Sequence, residues 1–223
     1  MKLLARGRDA DVFALDDGRV LRRYRSGRSA VAEADLIRAV TDAGFPTPRV
    51  HAADGPDLVL DRVDGPDLLT AMLTGAITPA DGARALADLH RRLHALPWQG
   101  GTLLHLDLHP LNVLWSPEGP VLIDWSNARV GAAGLDVAVT SLILAQVAVA
   151  PDAFTGDVGL APSVLAETLG AFLPAFTAAA GPYADHLDEA ALLRGHDPNA
   201  GPRERETLDE AVALARSVAP ASA

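Results

Sequence analysis

The sequence of 223 residues contains no cysteine and a single lysine, Lys2, against eighteen arginines. The absence of cysteine excludes a disulfide framework and a thiolate metal site, and it suits a reducing cytoplasm. The first residues contain no apolar signal core, so we predict no export signal and a cytoplasmic location. The most apolar run, residues 137–150, is short and includes Thr140, Ser141 and Gln146. This length predicts a buried helix and no membrane association.

Acidic residues outnumber basic residues, and the imbalance is uneven along the chain. The net charge is −10; residues 1–49 contain ten Arg or Lys and seven Asp or Glu, whereas residues 50–223 contain nine and 22. Nucleic acids are bound by basic surfaces, so we predict no nucleic-acid partner. The hydrophobic fraction of 49% allows a sizeable core, in one domain or in two packed lobes.

Residues 102–125 form two apolar runs joined by a turn-rich connection. Residues 103–104 and 121–123 predict short buried strands, because apolar residues there are bounded by Gly, Pro and polar residues. Between them, residues 113–115 and the following Ser-Pro-Glu-Gly-Pro cluster predict a hairpin. This frame fixes where the polar side chains of the segment lie.

Three polar side chains on this frame match the requirements of phosphoryl transfer. Asp107 precedes Asn112 by five residues, and Asp124 follows Asn112 by twelve. The reaction needs a carboxylate that orients the attacking hydroxyl and accepts its proton. It also needs an amide oxygen and a second carboxylate that hold Mg²⁺ against nucleotide phosphates. The three residues therefore predict a kinase-type site, with ordinary turn carboxylates as the alternative.

The spelling of these segments resembles a known family. His105-x-Asp107-x4-Asn112, followed by Ile-Asp124-Trp, resembles the catalytic and metal loops of the kinase-like fold. The run HLDLHPLN, with Asp-Trp where protein kinases have Asp-Phe-Gly, is similar to the aminoglycoside phosphotransferase family of small-molecule kinases. The resemblance implies an α+β, protein-kinase-like two-lobe fold. Its small N-lobe, an antiparallel sheet with one helix, would be residues 1–63, and its mostly helical C-lobe residues 64–223.

Under this resemblance the N-terminal residues cover a nucleotide. Gly7 lies in the place of the phosphate-covering loop, which here has one glycine where protein kinases have three. Val20 would pack against the adenine ring, and Arg22 lies where the family has a strand lysine that binds the phosphates. Backbone groups of Asp61 and Val63 would bond the adenine edge. The chain begins almost at the phosphate loop, so the first strand is expected to be stunted or missing.

The helix predicted over residues 29–43 carries a carboxylate on its apolar face. Ser29 is the predicted N-cap. Glu33 lies four residues before Ile37 and so shares the apolar stripe. A buried carboxylate without a partner is costly, and we predict that Glu33 pairs with Arg22, the equivalent of the strand-to-helix ion pair of kinases. The alternative places Glu33 at the edge of the stripe, in water.

The spacing of the histidines allows a second interpretation, a metal-binding site. A Thr-Pro-Ala-Asp capping box begins a helix predicted over residues 78–96. His90 and His94 are four residues apart on this helix, and His105 and His109 are four apart further on, so a zinc site can be drawn from them. No cysteine or helical glutamate completes it, and Leu-His-x-x-Leu-His resembles the family segment before the catalytic loop. Structural histidines are therefore the favoured interpretation, with His105 bracing the loop.

The C-terminal part is predicted to be helical. Asp136 precedes the apolar run and is the predicted cap of its helix. The resemblance implies that this aspartate holds the backbone of the catalytic loop and has no catalytic role. Further helices are predicted over residues 162–180 and 203–218, and the resemblance implies that they shape an acceptor pocket.

Together these features predict an enzyme that moves the terminal phosphoryl group of ATP or GTP, with Mg²⁺, to a hydroxyl of a small molecule. The predicted partners are the nucleotide and the acceptor, and the acidic residues of the larger part suit an aminoglycoside-like or other cationic acceptor. The predicted site consists of Asp107 as catalytic residue, Asn112 and Asp124 as metal ligands, and Gly7, Val20, Arg22, Glu33, Asp61 and Val63 as nucleotide-binding residues. The sequence leaves the oligomeric state open.

A non-catalytic nucleotide-binding regulatory protein of the same fold is the alternative function. The single-glycine loop, the arginine in place of the strand lysine and the missing first strand favour this alternative. The complete set of Asp107, Asn112 and Asp124 opposes it.

Overall fold

A computed structural model describes residues 1–15, 17–154 and 161–221. The sequence Asp16-Asp17-Gly18 predicts a turn between two extended runs, and the first residue of this turn lies outside the described residues. The chain divides into two compact units. Unit 1 contains Met1–Asp67 and Val113–Ser126, and unit 2 contains Leu68–Asn112 and Asn127–Ala223. A lobe boundary at residue 63 stays a prediction.

The described helices and strands follow one another in chain order. They are β1 Lys2–Arg6, β2 Ala10–Ala14, β3 Arg19–Tyr24, α1 Val31–Asp42, β4 Val50–Asp54, β5 Asp57–Asp61, α2 Leu68–Leu73, α3 Pro79–His94, β6 Thr102–Leu104, β7 Val113–Ser116, β8 Gly119–Leu122, β9 Arg129–Gly131, α4 Ala133–Val149, α5 Pro162–Ala180, α6 Leu187–Gly195, α7 Pro202–Glu206 and α8 Leu208–Ser217. The fold is therefore α+β, as predicted.

The sheet of unit 1 has five strands in the order β1-β2-β3-β5-β4, and every neighbouring pair is antiparallel. The predicted antiparallel sheet is confirmed. The expectation of a stunted or missing first strand is wrong, because β1 pairs with β2 from Lys2 to Arg6. All five residues of β1 are exposed, so this edge strand is held by backbone hydrogen bonds and has no alternating apolar pattern that would predict it.

Helix α1 turns its buried face, which includes Glu33, Ile37 and Val40, towards the interior of unit 1. Its N-cap is Ala30 and not the predicted Ser29, whose hydroxyl instead accepts a hydrogen bond of 3.3 Å from the N–H of Val31. The helix ends before Gly44, where a φ of +80° favours glycine.

The predicted hairpin is confirmed: β7 pairs with β8 in unit 1, with Val113 opposite Leu122. Two backbone hydrogen bonds attach it to the rest of the unit, from Trp115 N–H to Pro66 O at 2.8 Å and from Leu122 N–H to Pro46 O at 2.9 Å. Residues 103–104 lie in β6 as predicted, and this strand pairs with β9 in unit 2, which the sequence did not indicate.

Unit 2 is built on α3 and α4. Thr78 caps α3 by accepting a hydrogen bond of 3.1 Å from the N–H of Asp81. The spacing of Leu86, Leu89 and Leu93 predicts one apolar stripe on this helix, and all three are fully buried. Helix α4 is buried on almost all sides, as its apolar sequence predicts, but it begins at Ala133, four residues earlier than predicted.

In the described part of the chain, α5 is the one helix that is long and apolar enough to cross a membrane. Its largest buried side chains are Phe172 and Phe176, and the helix packs on α3 and α4. A core helix of this length passes the same test, so the finding is weak evidence for a membrane span. A cytoplasmic location stays a prediction.

The C-terminal helices differ from the prediction in two ways. The helix predicted over residues 203–218 consists of α7 and α8, which are separated at Thr207. Helix α6 was not predicted. The helix predicted over residues 162–180 coincides with α5.

Candidate active site

Arg22 in β3 holds two carboxylates of unit 1 with its two terminal nitrogens. Its Nη1 donates to Glu33 Oε1 at 2.5 Å, and its Nη2 donates to Asp124 Oδ1 at 2.6 Å. The predicted pairing of Arg22 with Glu33 is confirmed. Burial opposes the charge of Arg22, but the carboxylates of Asp124 and Glu33 raise its pKa above the ordinary value for arginine.

Both oxygens of Glu33 are bonded. The hydroxyl of Tyr24 donates to Oε2, and the backbone N–H of Trp125 donates to Oε1 at 3.2 Å. Burial raises the pKa of Tyr24, so its phenol stays protonated and remains a donor. Tyr24 is 2% exposed and was not among the predicted site residues. The network fixes the position of Glu33, and through it that of Arg22.

The segment after β8 places Asp124 in an unusual backbone conformation. Its φ is +65°, a region that costs about 1–3 kcal/mol for a residue other than glycine. The next residue, Trp125, is 2% exposed, and its Nε1 donates to Thr47 Oγ1 at 2.9 Å. The rings of Trp125 and Phe45 meet edge to face at 5.7 Å. This packing offsets the strain and holds the Asp124 carboxylate towards Arg22.

Asp107 and Asn112 lie together in unit 2. The Nδ2 of Asn112 donates to the backbone oxygen of Asp107 at 2.9 Å and to its Oδ2 at 3.1 Å. Asn112 ends a short 3-10 turn, Pro110–Asn112. Within the described residues its amide oxygen makes no hydrogen bond, so this oxygen is available to a hard cation such as Mg²⁺.

His109 is a neighbour of Asp107 that the sequence did not indicate in this role. Its Nε2 lies 3.6 Å from Asp107 Oδ1 and 3.2 Å from Asn112 Nδ2. The sequence had suggested His109 only as a member of a zinc site. His109 follows Asp107 by two residues, and this short separation is the sequence signal that could have indicated the contact.

Asp136 holds the backbone of the loop that leads to Asp107. Its Oδ1 accepts the N–H of Leu106 at 2.6 Å, and its Oδ2 accepts the N–H of His105 at 3.1 Å. The contacts with the loop backbone that the resemblance implies are confirmed, whereas the predicted capping role is wrong because the N-cap of α4 is Ala132. Leu106 has a φ of +61°, a strained value that these hydrogen bonds help to hold.

His105 braces the same loop from inside, as predicted. It is fully buried, and its Nδ1 accepts the backbone N–H of Asp107 at 3.3 Å. The side chain therefore contributes to the conformation of the loop.

His90 and His94 lie against Asp136. The Nε2 of His94 is 2.9 Å from Asp136 Oδ2, and the Nδ1 of His90 is 3.5 Å from the same oxygen. Burial opposes ionisation of Asp136, but the two histidines hold the pKa of this carboxyl far below its usual range. Among the described residues, the candidate metal-binding cluster contains His90, His94 and Asp136 and does not include His105 or His109.

Gly7 lies in the turn between β1 and β2, and its role in covering phosphates stays a prediction. Its N–H donates to Ala10 O at 2.9 Å, which closes the turn. Arg25 anchors the loop, since its Nη2 donates to Gly7 O at 2.8 Å and to Arg8 O, and its Nη1 to Asp11 Oδ1 at 2.9 Å. Arg25 was not predicted to have this role.

The remaining predicted residues lie along β3 and after β5. Val20 is half-buried and pairs with Leu60 in the neighbouring strand. Asp61 ends β5, and its carboxylate contacts His51 Nε2 at 2.6 Å. Within the described part of the chain, Val63 makes no backbone hydrogen bond, so its N–H and C=O are available to a ligand.

Solved structures define the class of fold. An ADP-bound aminoglycoside phosphotransferase, APH(2'')-Ib, aligns with a TM-score of 0.59 at 13% identity over 98% of this chain and 92% of its own. An ethanolamine kinase of Plasmodium vivax aligns with a TM-score of 0.60 at 11% identity, over 96% and 83%. The amicoumacin kinase hAmiN, in complex with AMP-PNP and Ca²⁺, aligns with a TM-score of 0.51 at 13% identity, over 99% and 90%. The fold is protein-kinase-like, as predicted.

The sequence comparison adds the family. The profile of the phosphotransferase enzyme family (APH) matches residues 1–101 and 83–192, which together span most of the 223 residues. The chain therefore belongs to this family of phosphotransferases. No curated protein matches it.

Proposed function

We propose that the protein transfers the terminal phosphoryl group of ATP or GTP to a hydroxyl of a small molecule, with Mg²⁺ as cofactor. The observation that carries the proposal is the pair of hydrogen bonds from Asn112 to Asp107, which orients a carboxylate and leaves an amide oxygen available beside it. Membership of the phosphotransferase family supports it. The acidic excess after residue 49 suits a cationic acceptor.

Asp107 is the proposed catalytic residue. Its carboxylate orients the acceptor hydroxyl and takes the proton as the hydroxyl oxygen forms a bond to the γ-phosphorus. The bond from that phosphorus to the bridging oxygen breaks, and the nucleoside diphosphate leaves with the electron pair. Asn112 and His109 keep the carboxylate in place during this step.

Asn112 and Asp124 are the proposed magnesium ligands. Their donor atoms, one amide oxygen and one carboxylate, are the hard oxygen ligands that Mg²⁺ prefers. When bound, the ion neutralises charge on the phosphates and on the leaving oxygen. Arg22 holds Asp124 in position before ligands bind.

Arg22 is the proposed phosphate-binding cation, positioned by Glu33. The guanidinium is already ordered by two carboxylates, so little conformational entropy is lost when a phosphate binds. Gly7 would cover the phosphates, and Val20 would contact the adenine. The backbone groups at Asp61 and Val63 would bond the edge of the adenine.

The test is an assay of the purified protein with Mg²⁺, ATP or GTP, and a panel of aminoglycosides, amino alcohols and sugars. We expect turnover with at least one acceptor, and Asp107→Asn should lower kcat by about 10²–10⁴-fold while nucleotide binding persists. Asp209→Asn, which changes an exposed carboxylate on α8, serves as the matched control. Wild-type turnover in Asp107→Asn would contradict the role of this residue.

The non-catalytic alternative loses one of its three supports, because β1 is present and paired. The single glycine of the loop and Arg22 remain in its favour. Thermal stabilisation by Mg²⁺ and ATP, without turnover on any acceptor, would establish this alternative.

A further inference from the structure

We propose that His90, His94 and Asp136 bind a divalent transition-metal ion, and that zinc is the ion their donor atoms fit best. The three ligand atoms lie within 4.8 Å of one another. The separations from Asp136 Oδ2 are 2.9 Å to His94 Nε2 and 3.5 Å to His90 Nδ1. Ligand atoms of a tetrahedral zinc ion with bonds of about 2.0 Å are roughly 3.3 Å apart, and the two separations bracket this value.

The hydrogen bonds around His90 determine which of its nitrogens can bind a metal. The hydroxyl of Thr140 donates to Leu108 O at 2.8 Å, so it can only accept from His90 Nε2, 3.0 Å away. The Nε2 therefore carries a hydrogen. In neutral histidine the Nδ1 then has a lone pair, and this atom is buried and has no hydrogen-bond partner among the described residues. A metal-binding histidine typically donates its other N–H to a fixed acceptor in this manner.

The charge of Asp136 is a second, independent argument for a bound metal ion. The residue is fully buried, and no arginine or lysine of the described ranges forms an ion pair with it. Hydrogen bonds from the N–H groups of His105 and Leu106 stabilise this charge in part, and a cationic partner would stabilise it further. A metal ion bound to Asp136 and both histidines supplies the positive charge and satisfies the Nδ1 of His90.

A path for the ion and room for a fourth ligand are present in unit 2. A cavity of about 370 Å³ is lined by His90, Arg91 and His94 of α3 and by small apolar side chains of neighbouring helices. The side chain of His94 is 13% exposed, so the cluster is reached from this side. A water molecule from the cavity would complete the coordination.

This metal site differs in chemistry from the proposed magnesium site. Two imidazoles and one carboxylate favour zinc over magnesium, which prefers oxygen ligands. The ion would connect α3 to α4, and through Asp136 it would stabilise the backbone at His105 and Leu106. Its role is structural, and it stabilises the loop that contains Asp107.

The experiment uses the full chain after removal of metals with a chelator, without nucleotide. Zinc is titrated in competition with a chromophoric chelator, and cobalt is titrated while its visible absorption is recorded. We expect one equivalent per chain, a tetrahedral cobalt spectrum and a higher melting temperature with zinc. A hundredfold excess of Mg²⁺ should not displace the ion.

Three variants make the test specific. His94→Gln keeps a hydrogen-bonding group near Asp136 but removes the imidazole, and it should weaken zinc binding by more than about tenfold. Thr140→Val removes the acceptor of the His90 N–H and should weaken binding by about 10–100-fold. His196→Gln changes an exposed histidine of unit 2 and should leave binding unchanged. Absence of zinc binding by the wild-type protein, or binding that His94→Gln does not weaken, would overturn the proposal.

Discussion

The guanidinium of Arg22 contacts the carboxylate of Asp124, with Nη2 2.6 Å from Oδ1, while the adjacent Nη1 holds Glu33. The planar fork of arginine presents separate nitrogens to two carboxylates, which the single ammonium of lysine does not. The local geometry therefore accommodates an arginine at position 22, where the resembled family has a lysine. Arg22 links β3, α1 and the segment after β8 within unit 1.

Replacement of Arg22 by lysine should cost stability. Arg22→Lys retains the charge but loses at least one of the two hydrogen bonds to carboxylates, so we expect a loss of about 2 kcal/mol in urea unfolding. Arg23→Lys is the matched control on the same strand, because its ion pair with Asp57 is exposed to solvent and should contribute little to stability. Equal losses in the two variants would contradict the assigned importance of the Arg22 contacts.

The two tyrosines should make the folded protein less stable at high pH. Burial raises the pKa of Tyr24 and of Tyr183 above the ordinary value of 10.0. Above that pH the unfolded chain loses protons that the folded chain retains, so the free energy of unfolding should fall as the pH rises. Absorbance of tyrosinate, followed at increasing pH, should stay low until the protein unfolds. A full tyrosinate signal in the folded protein near pH 10 would show that neither phenol is held in its protonated form.

Asp136→Asn should impair turnover without loss of substrate binding. The amide offers one acceptor oxygen in place of two, so one of the N–H groups of His105 and Leu106 loses its partner. A displacement of Asp107 by about 1 Å should lower kcat by roughly 100-fold, with KM nearly unchanged. Asp209→Asn, which makes the same change at an exposed carboxylate of α8, is the control; an equal fall in kcat there would contradict this explanation.

Gly65→Ala should be strongly destabilising. Gly65 has a φ of +140°, and an added Cβ would lie 2.8 Å from the carbonyl carbon of Trp115 and closer still to its oxygen. Backbone strain and steric overlap together should cost roughly 3–5 kcal/mol in urea unfolding. Gly119 also has a positive φ, +118°, but an added Cβ there would meet no atom of the described residues within 4 Å. Gly119→Ala should therefore lose only the strain component, about 1–3 kcal/mol, and similar losses in both would contradict the steric argument.

Sequence patterns could predict the features that depend on spacing along the chain. The stripe of α1 indicated that Glu33 points inward and pairs with Arg22, and the turn residues indicated the hairpin of β7 and β8. The type and order of Asp107, Asn112 and Asp124 indicated a kinase-type site, and the roles of these residues stay predictions.

The features that were missed depend on contacts between distant residues. Tyr24 and Trp125 both bond Glu33, but Trp125 is 92 residues away from it in sequence, and no local pattern records this contact. Asp136 carries the local signal of a helix cap, and its bonds to the loop at His105, 31 residues earlier, override that signal. Strand β1 has no buried face, so its sequence lacks the alternation of apolar and polar residues from which a strand is predicted.

The division of the chain has a consequence for synthesis on the ribosome. Unit 1 ends its first segment at Asp67 and is completed only by Val113–Ser126. Phe45, Thr47 and Glu33 receive their contacts with Trp125 from this later segment. A nascent chain that has not yet emerged beyond Ser126 therefore exposes part of the interior of its first unit, and the N-terminal unit cannot finish folding before much of its successor has been translated.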